Sequence, residues 1–123
     1  MFQFAAEQAA RRLAAFDRRL RQTGAESDPE YVHQLRVDTR RIQTALRVWK
    51  DFFPNKPARK LSRRLSKLRD AAGAVRDCDI ALELIEPELA PDHPLLARLS
   101  DRRQQAALHL REGLERWRRR DVA

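Results

Sequence analysis

The strongest constraint on how this chain folds is the run Val32, Leu35, Thr39, Ile42, Leu46, Trp49 and Phe53, in which core-compatible side chains recur at alternating steps of three and four. That spacing returns to one side of an α-helix at every turn, whereas a half-buried strand needs a step of two. It predicts an amphipathic helix that ends against Pro54, since a proline disfavours helical geometry at the residue before it, here Phe53. Upstream, Ser27-Asp28-Pro29-Glu30 reads as a helix start. Either Ser27 or Asp28 can accept a hydrogen bond from the free N–H groups of the first turn, and Pro29 suits the first helical position.

The same period recurs three more times. Apolar residues at positions 2, 6, 9, 13, 16 and 20 predict a helix over about residues 2–22, followed by Gly24. Asn55-Lys56-Pro57 reads as a turn, after which Leu61, Leu65, Leu68, Ala72 and Val75 mark a third seam. Gly73 lies inside that seam, where glycine costs about 1 kcal/mol relative to alanine, so it predicts a kink, a break or a close backbone approach. Helix continues through residues 74–86 to Pro87; Pro87, Pro91 and Pro94 then form a linker. Leu96, Leu99, Ala106, Leu110, Leu114 and Trp117 give the fourth seam, which ends in Arg118-Arg119-Arg120. No segment reads as a strand. With 123 residues there is room for one modest core. Burying four seams together therefore predicts an all-α, antiparallel four-helix bundle over residues 1–123, with its third helix kinked or broken near Gly73.

Charge is distributed unevenly. The chain carries a formal charge of +8, yet residues 33–76 alone hold thirteen Lys/Arg against Asp38, Asp51 and Asp70, a local excess of +10 that leaves −2 for the rest. On helix 2 the cations form a stripe one residue after the apolar seam: His33, Arg36, Arg40, Arg47 and Lys50, with Gln43 completing the spacing. On helix 3, Lys60, Arg64 and Lys67 form a stripe one residue before its seam. Whether the two offsets meet depends on how the helices pack. A charged flank usually serves to solvate a bundle and form surface ion pairs, but three acids cannot pair thirteen bases. Unrelieved repulsion of this kind points to an anionic ligand, and the predominance of arginine favours phosphate oxygens.

Other chemistries find little in the sequence. There is no HExxH, glycine-rich phosphate loop, GxSxG or Cys/His cluster, so no catalytic residue, metal site or cofactor is expected. Asp77 and Asp79 diverge by about 200° on a helix. They are expected to orient Arg76 or neighbouring arginines, or to cap a helix restarted after Gly73. Cys78 reads as a small buried side chain, and His93 and His109 as structural or exposed. No apolar run suits a membrane span and the first residues are too charged for a secretory signal, which together predict a cytoplasmic protein.

Val32-His33-Gln34-Leu35-Arg36-Val37-Asp38-Thr39-Arg40-Arg41-Ile42, followed by Ala45-Leu46-Arg47, resembles the CHAD family, the conserved histidine α-helical domain. Gly73-Ala74-Val75-Arg76-Asp77-Cys78-Asp79-Ile80 is similar to that family's second motif. The likeness is carried by residues 28–86 and extends to the outer helices only as pattern. It implies binding of inorganic polyphosphate, with His33, Arg36, Arg40, Arg41 and Arg47 on phosphate and Arg76 beside or bracing them; Lys60, Arg64 and Lys67 are added from the charge stripe. It also implies an association with polyphosphate granules. Gln43 stands where many members carry a base, which predicts weaker binding there. The family's usual domain has two related helical halves and this chain matches one, so a two-fold homodimer enclosing a cationic channel is expected. The alternative is a sequence-nonspecific nucleic-acid binder, since any basic helical face attracts phosphate backbones. A docking surface for acidic proteins and a phosphohydrolase fragment are further, weaker readings.

Overall fold

A computed structural model describes the backbone of residues 2–21 and 28–122. The side chains at residues 2, 3, 5, 6, 9 and 120–122 lie outside the described set, so the predicted seam positions Phe2, Ala6 and Ala9, the turn at Gly24, the cap at Ser27 and the side chain of Arg120 fall there too. Four long helices are present: α1 (Phe2–Leu20), α2 (Pro29–Val48), α3 (Asn55–Ile85) and α4 (Pro94–Val122). Two short 3₁₀ turns, Lys50–Phe52 and Glu86–Glu88, join α2 to α3 and follow α3. The described residues contain no strand. The expected antiparallel four-helix bundle is the observed architecture.

Local chemistry accounts for the helix ends. Asp28 caps α2, its side chain accepting from the Glu30 N–H at 3.0 Å, and Pro29 occupies the first turn, where no N–H is needed. The helix stops at Val48, before Trp49 and Phe53, which continue its apolar period. Trp49 leaves helical geometry and Phe53, ahead of Pro54, is extended. Asn55-Lys56-Pro57 is the first turn of α3 rather than a loop, because a proline is tolerated where the N–H groups have no intrahelical partner. The expected break at Gly73 does not occur: α3 is one uninterrupted helix of 31 residues. His93 precedes α4, its Nδ1 accepting from the Leu95 N–H at 3.1 Å.

α2 and α3 pack side by side, with α1 on α2 and α4 on α3. The seams meet in a core of Phe16 and Leu20 from α1, Val32, Leu35 and Ile42 from α2, Leu65, Leu68 and Val75 from α3, and Leu110, Leu114 and Trp117 from α4. Leu35, Leu65, Leu110 and Leu114 are fully buried, each contributing about 1.5–3 kcal/mol, and truncating one to alanine would cost about 2–5 kcal/mol. The ends of α1 and α4 close the bundle. The Phe16 ring meets the Trp117 ring edge-to-face at 5.3 Å, and the free carbonyls ending α1 accept from Arg118 Nε (at Leu20) and, at 3.0 Å, from the Tyr31 hydroxyl (at Arg19).

Candidate polyanion-binding groove

Three polar contacts set the register of α2 against α3. Gln43 Nε2 donates to the Ser62 carbonyl at 3.1 Å and to Ser66 Oγ at 2.8 Å, while its Oε1 accepts from Arg69 Nη1 at 2.8 Å. Farther along, Gly73 lies beneath the side chain of Arg36, with Arg36 Nε 3.9 Å from where a Cβ would sit. The α3 positions facing α2 are thus 59, 62, 66, 69, 73 and 76, a 3-4 ladder one residue after its apolar seam. The α2 ladder of 33, 36, 40, 43, 47 and 50 has the same offset.

Symmetry explains the match. Two antiparallel right-handed helices are related by a two-fold axis perpendicular to both, so each presents the same flank to a given side of the pair. A flank one residue after the seam on α2 therefore meets a flank one residue after the seam on α3. The expected Lys60, Arg64 and Lys67 stripe has the opposite offset and does not line the groove with α2. Arg64 and Lys67 line the hollow between α3 and α4, where the Arg64 guanidinium sits 4.1 Å from the centroid of the Trp117 ring. Lys60 is exposed and lines neither hollow.

The α2–α3 groove encloses about 840 Å³. Arg40, Arg47, Lys50, Arg59 and Arg69 line it together with neutral residues that include Gln43, Thr44 and Ser62, and among the described residues no carboxylate lines it. Three acids of α2 and α3 are engaged or face elsewhere. Asp38 pairs with Arg19 of α1, Asp70 lines the α3–α4 hollow, and Asp79 pairs with Arg103 of α4 at 2.5 Å. Of the roles expected for Asp79, it holds an arginine, but that arginine is Arg103 of α4 and not Arg76, and it caps no restarted helix. Asp77 is exposed on the unbroken helix.

The remaining expected residues are distributed along and beside this groove. Arg36 is half-buried, and its Nε has no hydrogen-bond partner among the described residues although it is shielded from solvent. A buried donor left this way costs about 1–3 kcal/mol unless something accepts from it. His33 is exposed in the first turn of α2, and extending the register sets its position opposite that of Arg76, which is half-buried. Arg41 instead lines a hollow between α1 and α2 with Phe4, Arg12 and Trp49; Arg40 borders both spaces. The sequence reading omitted Arg59 and Arg69, although the like-flank rule and the 3-4 ladder would have placed both. It also treated Gln43 as a missing cation, whereas Gln43 holds Arg69 at the groove.

Among the described residues no group of three or more His, Cys, Asp or Glu side chains could hold a metal, and no helix is long and apolar enough to cross a membrane. Cys78 is buried and unpaired, as expected. The class of protein defined here is an all-α bundle with a cation-lined cleft between its two central helices. Within it the chain belongs to the CHAD family, whose model, described as CHAD domain, matches residues 5–123 and so includes the outer helices as well as the two central motifs. The family is a helical binding domain associated with polyphosphate rather than a catalytic fold. No curated protein and no solved structure matched the chain.

Proposed function

We propose that this protein binds inorganic polyphosphate along the α2–α3 groove, without catalysing a reaction on it. The observation that carries the reading is a groove lined by five cations and, among the described residues, no carboxylate, with the half-buried Arg36 farther along the same α2 ladder. A polyphosphate chain offers acceptor oxygens and negative charge throughout and no donors, which complements guanidinium groups that only donate. Its binding would relieve the mutual repulsion of side chains that form no ion pair among the described residues. The binding set is Arg36, Arg40, Arg47, Lys50, Arg59 and Arg69, with His33 and Arg76 at one end. Arg41 flanks it.

The groove is open along its length, and a second copy related by a two-fold axis would enclose the ligand. Exposed Ile80, Leu84 and Leu95 at the α3–α4 end supply apolar surface for such a pairing. The setting in which such a module acts is the cytoplasm, at polyphosphate granules. Titration with polyphosphate of defined lengths, followed by calorimetry and light scattering, tests both parts. Saturable binding with a doubled mass is expected; absence of binding removes the function, and a ligand-competent monomer at all concentrations removes the dimer.

Sequence-nonspecific nucleic-acid binding is the second reading. Phe4, 54% exposed, packs against Trp49 beside Arg12 and Arg41, so an aromatic surface next to cations is present. Competition separates the two readings: excess polyphosphate displaces DNA or RNA if the first holds and fails to do so if the second holds.

A further inference from the structure

The opposite flank of α3 builds a different kind of groove. Between α3 and α4 lies a hollow of about 650 Å³, within the range of small-ligand pockets. Its polar lining is Lys67, Arg116, Arg64, His109 and one acid, Asp70. Leu68, Ala71, Ala74, Gly113 and the largely buried Trp117 supply apolar surface. We infer that this hollow is a second ligand site, for a nucleoside polyphosphate or a similar phosphate ester carrying an apolar ring and hydroxyl groups. This inference does not rest on the polyphosphate reading, because it concerns other residues on the other side of α3.

Two observations point to a ligand of that class. First, Gly113 lies inside α4, where glycine costs about 1 kcal/mol relative to alanine. Packing does not require it: an added Cβ would meet only Arg116 Nη2 at 3.8 Å and Leu68 Cδ1 at 3.9 Å, ordinary contacts. What the missing side chain does is keep the hollow open between the apolar residues and the cationic rim. Second, Asp70 stands among the cations. An inorganic phosphate chain has no donor to offer a carboxylate and is repelled by it, whereas sugar hydroxyls and the amino groups of a base donate to it. The α2–α3 groove has no lining carboxylate and the α3–α4 hollow has one, so the two spaces select for different phosphate compounds. Arg64, held over the Trp117 ring, sets a cation against the aromatic wall of the site.

The test is calorimetric titration of the full chain with ATP and, separately, with inorganic tripolyphosphate. Arg116→Ala should weaken ATP binding about tenfold, the loss expected for one hydrogen bond to a charged group, without changing tripolyphosphate binding. Gly113→Leu, which fills the hollow with a good helix former, should act in the same direction, and circular dichroism reports whether it folds. Arg40→Ala should show the reverse pattern. The assignment is overturned if ATP does not bind, if its affinity is unmoved by Arg116→Ala, or if tripolyphosphate depends on Arg116 as strongly as ATP does.

Discussion

Gln43 and Arg69, twenty-six residues apart in the chain, are joined across the α2–α3 pair by a 2.8 Å hydrogen bond in which the guanidinium donates to the amide oxygen. The same amide donates to Ser62 and Ser66, so its position is fixed by α3 before it orients the arginine. Gln43→Ala should therefore weaken polyphosphate binding by about 1 kcal/mol although no charge is lost, and should lower folding stability by about as much. A double-mutant cycle with Arg69→Ala, read by calorimetry, checks this: the two binding losses should fall well short of adding. Full additivity would mean that Gln43 does not act through Arg69.

The arginines expected on phosphate divide by what they touch. Arg36→Ala or Arg40→Ala should cost about 1.5–3 kcal/mol of polyphosphate binding; Arg40→Ala should change the melting temperature little, and Arg36→Ala, which removes a buried donor without a partner, should not lower it. Arg64→Ala should do the opposite, because its guanidinium lies over Trp117; a loss of about 0.5–2 kcal/mol in stability is expected, with polyphosphate affinity nearly intact. Unfolding of either of the first two variants would assign those arginines to the scaffold.

Gly73 invites a finer test. Its added Cβ would come no closer than 3.9 Å to Arg36 Nε, so Gly73→Ala should stabilise α3 by up to about 1 kcal/mol and leave binding unchanged. Gly73→Leu, with a side chain reaching into the space under the guanidinium, should displace Arg36 and weaken binding. Thermal unfolding and titration of the two variants check both statements.

Much of this architecture was legible because helical periodicity and turn chemistry are local. The seams of α2 and α4, the Asp28–Pro29 start and the stop before Pro87 follow from residues within a few positions of one another. The 3₁₀ turn at Lys50–Phe52 was missed because Trp49 and Phe53 keep the period after the α-helix has ended at Val48. The unbroken course of α3 was missed because a single glycine costs about 1 kcal/mol, less than the packing of Leu68, Ala72 and Val75 around it returns. The groove was half legible. Arg40 and Arg47 could be assigned from one helix alone, whereas Arg59 and Arg69 required the symmetry of an antiparallel pair. No periodicity could show that Gln43 recruits Arg69 or that Asp79 reaches Arg103, since these contacts join different helices.

The pair Asp79–Arg103 carries a stability prediction. Both side chains are largely buried, at 10% and 19% exposure, and they fasten α3 to α4. Arg103→Ala leaves a carboxylate poorly solvated and should cost about 2–4 kcal/mol, seen as a lower denaturation midpoint. Polyphosphate affinity, corrected for the folded fraction, should not change. A loss confined to binding would contradict the structural role.

In the proposed function polyphosphate follows one path, between α2 and α3, and is not held by net charge alone. If six groove cations displace counterions, the slope of log affinity against log salt should be about −4, a loss of roughly 300-fold between about 50 and 200 mM salt. The most direct measurement compares two charge-matched triple variants in one buffer: Arg40, Arg47 and Arg69 changed to alanine in the groove, and exposed Arg63, Arg98 and Arg111 changed to alanine outside it. The groove variant should lose at least about 100-fold in affinity and about half of the salt slope, which falls from about −4 to about −2, while the second stays within about threefold of the unaltered protein. Equal losses from the two would contradict it.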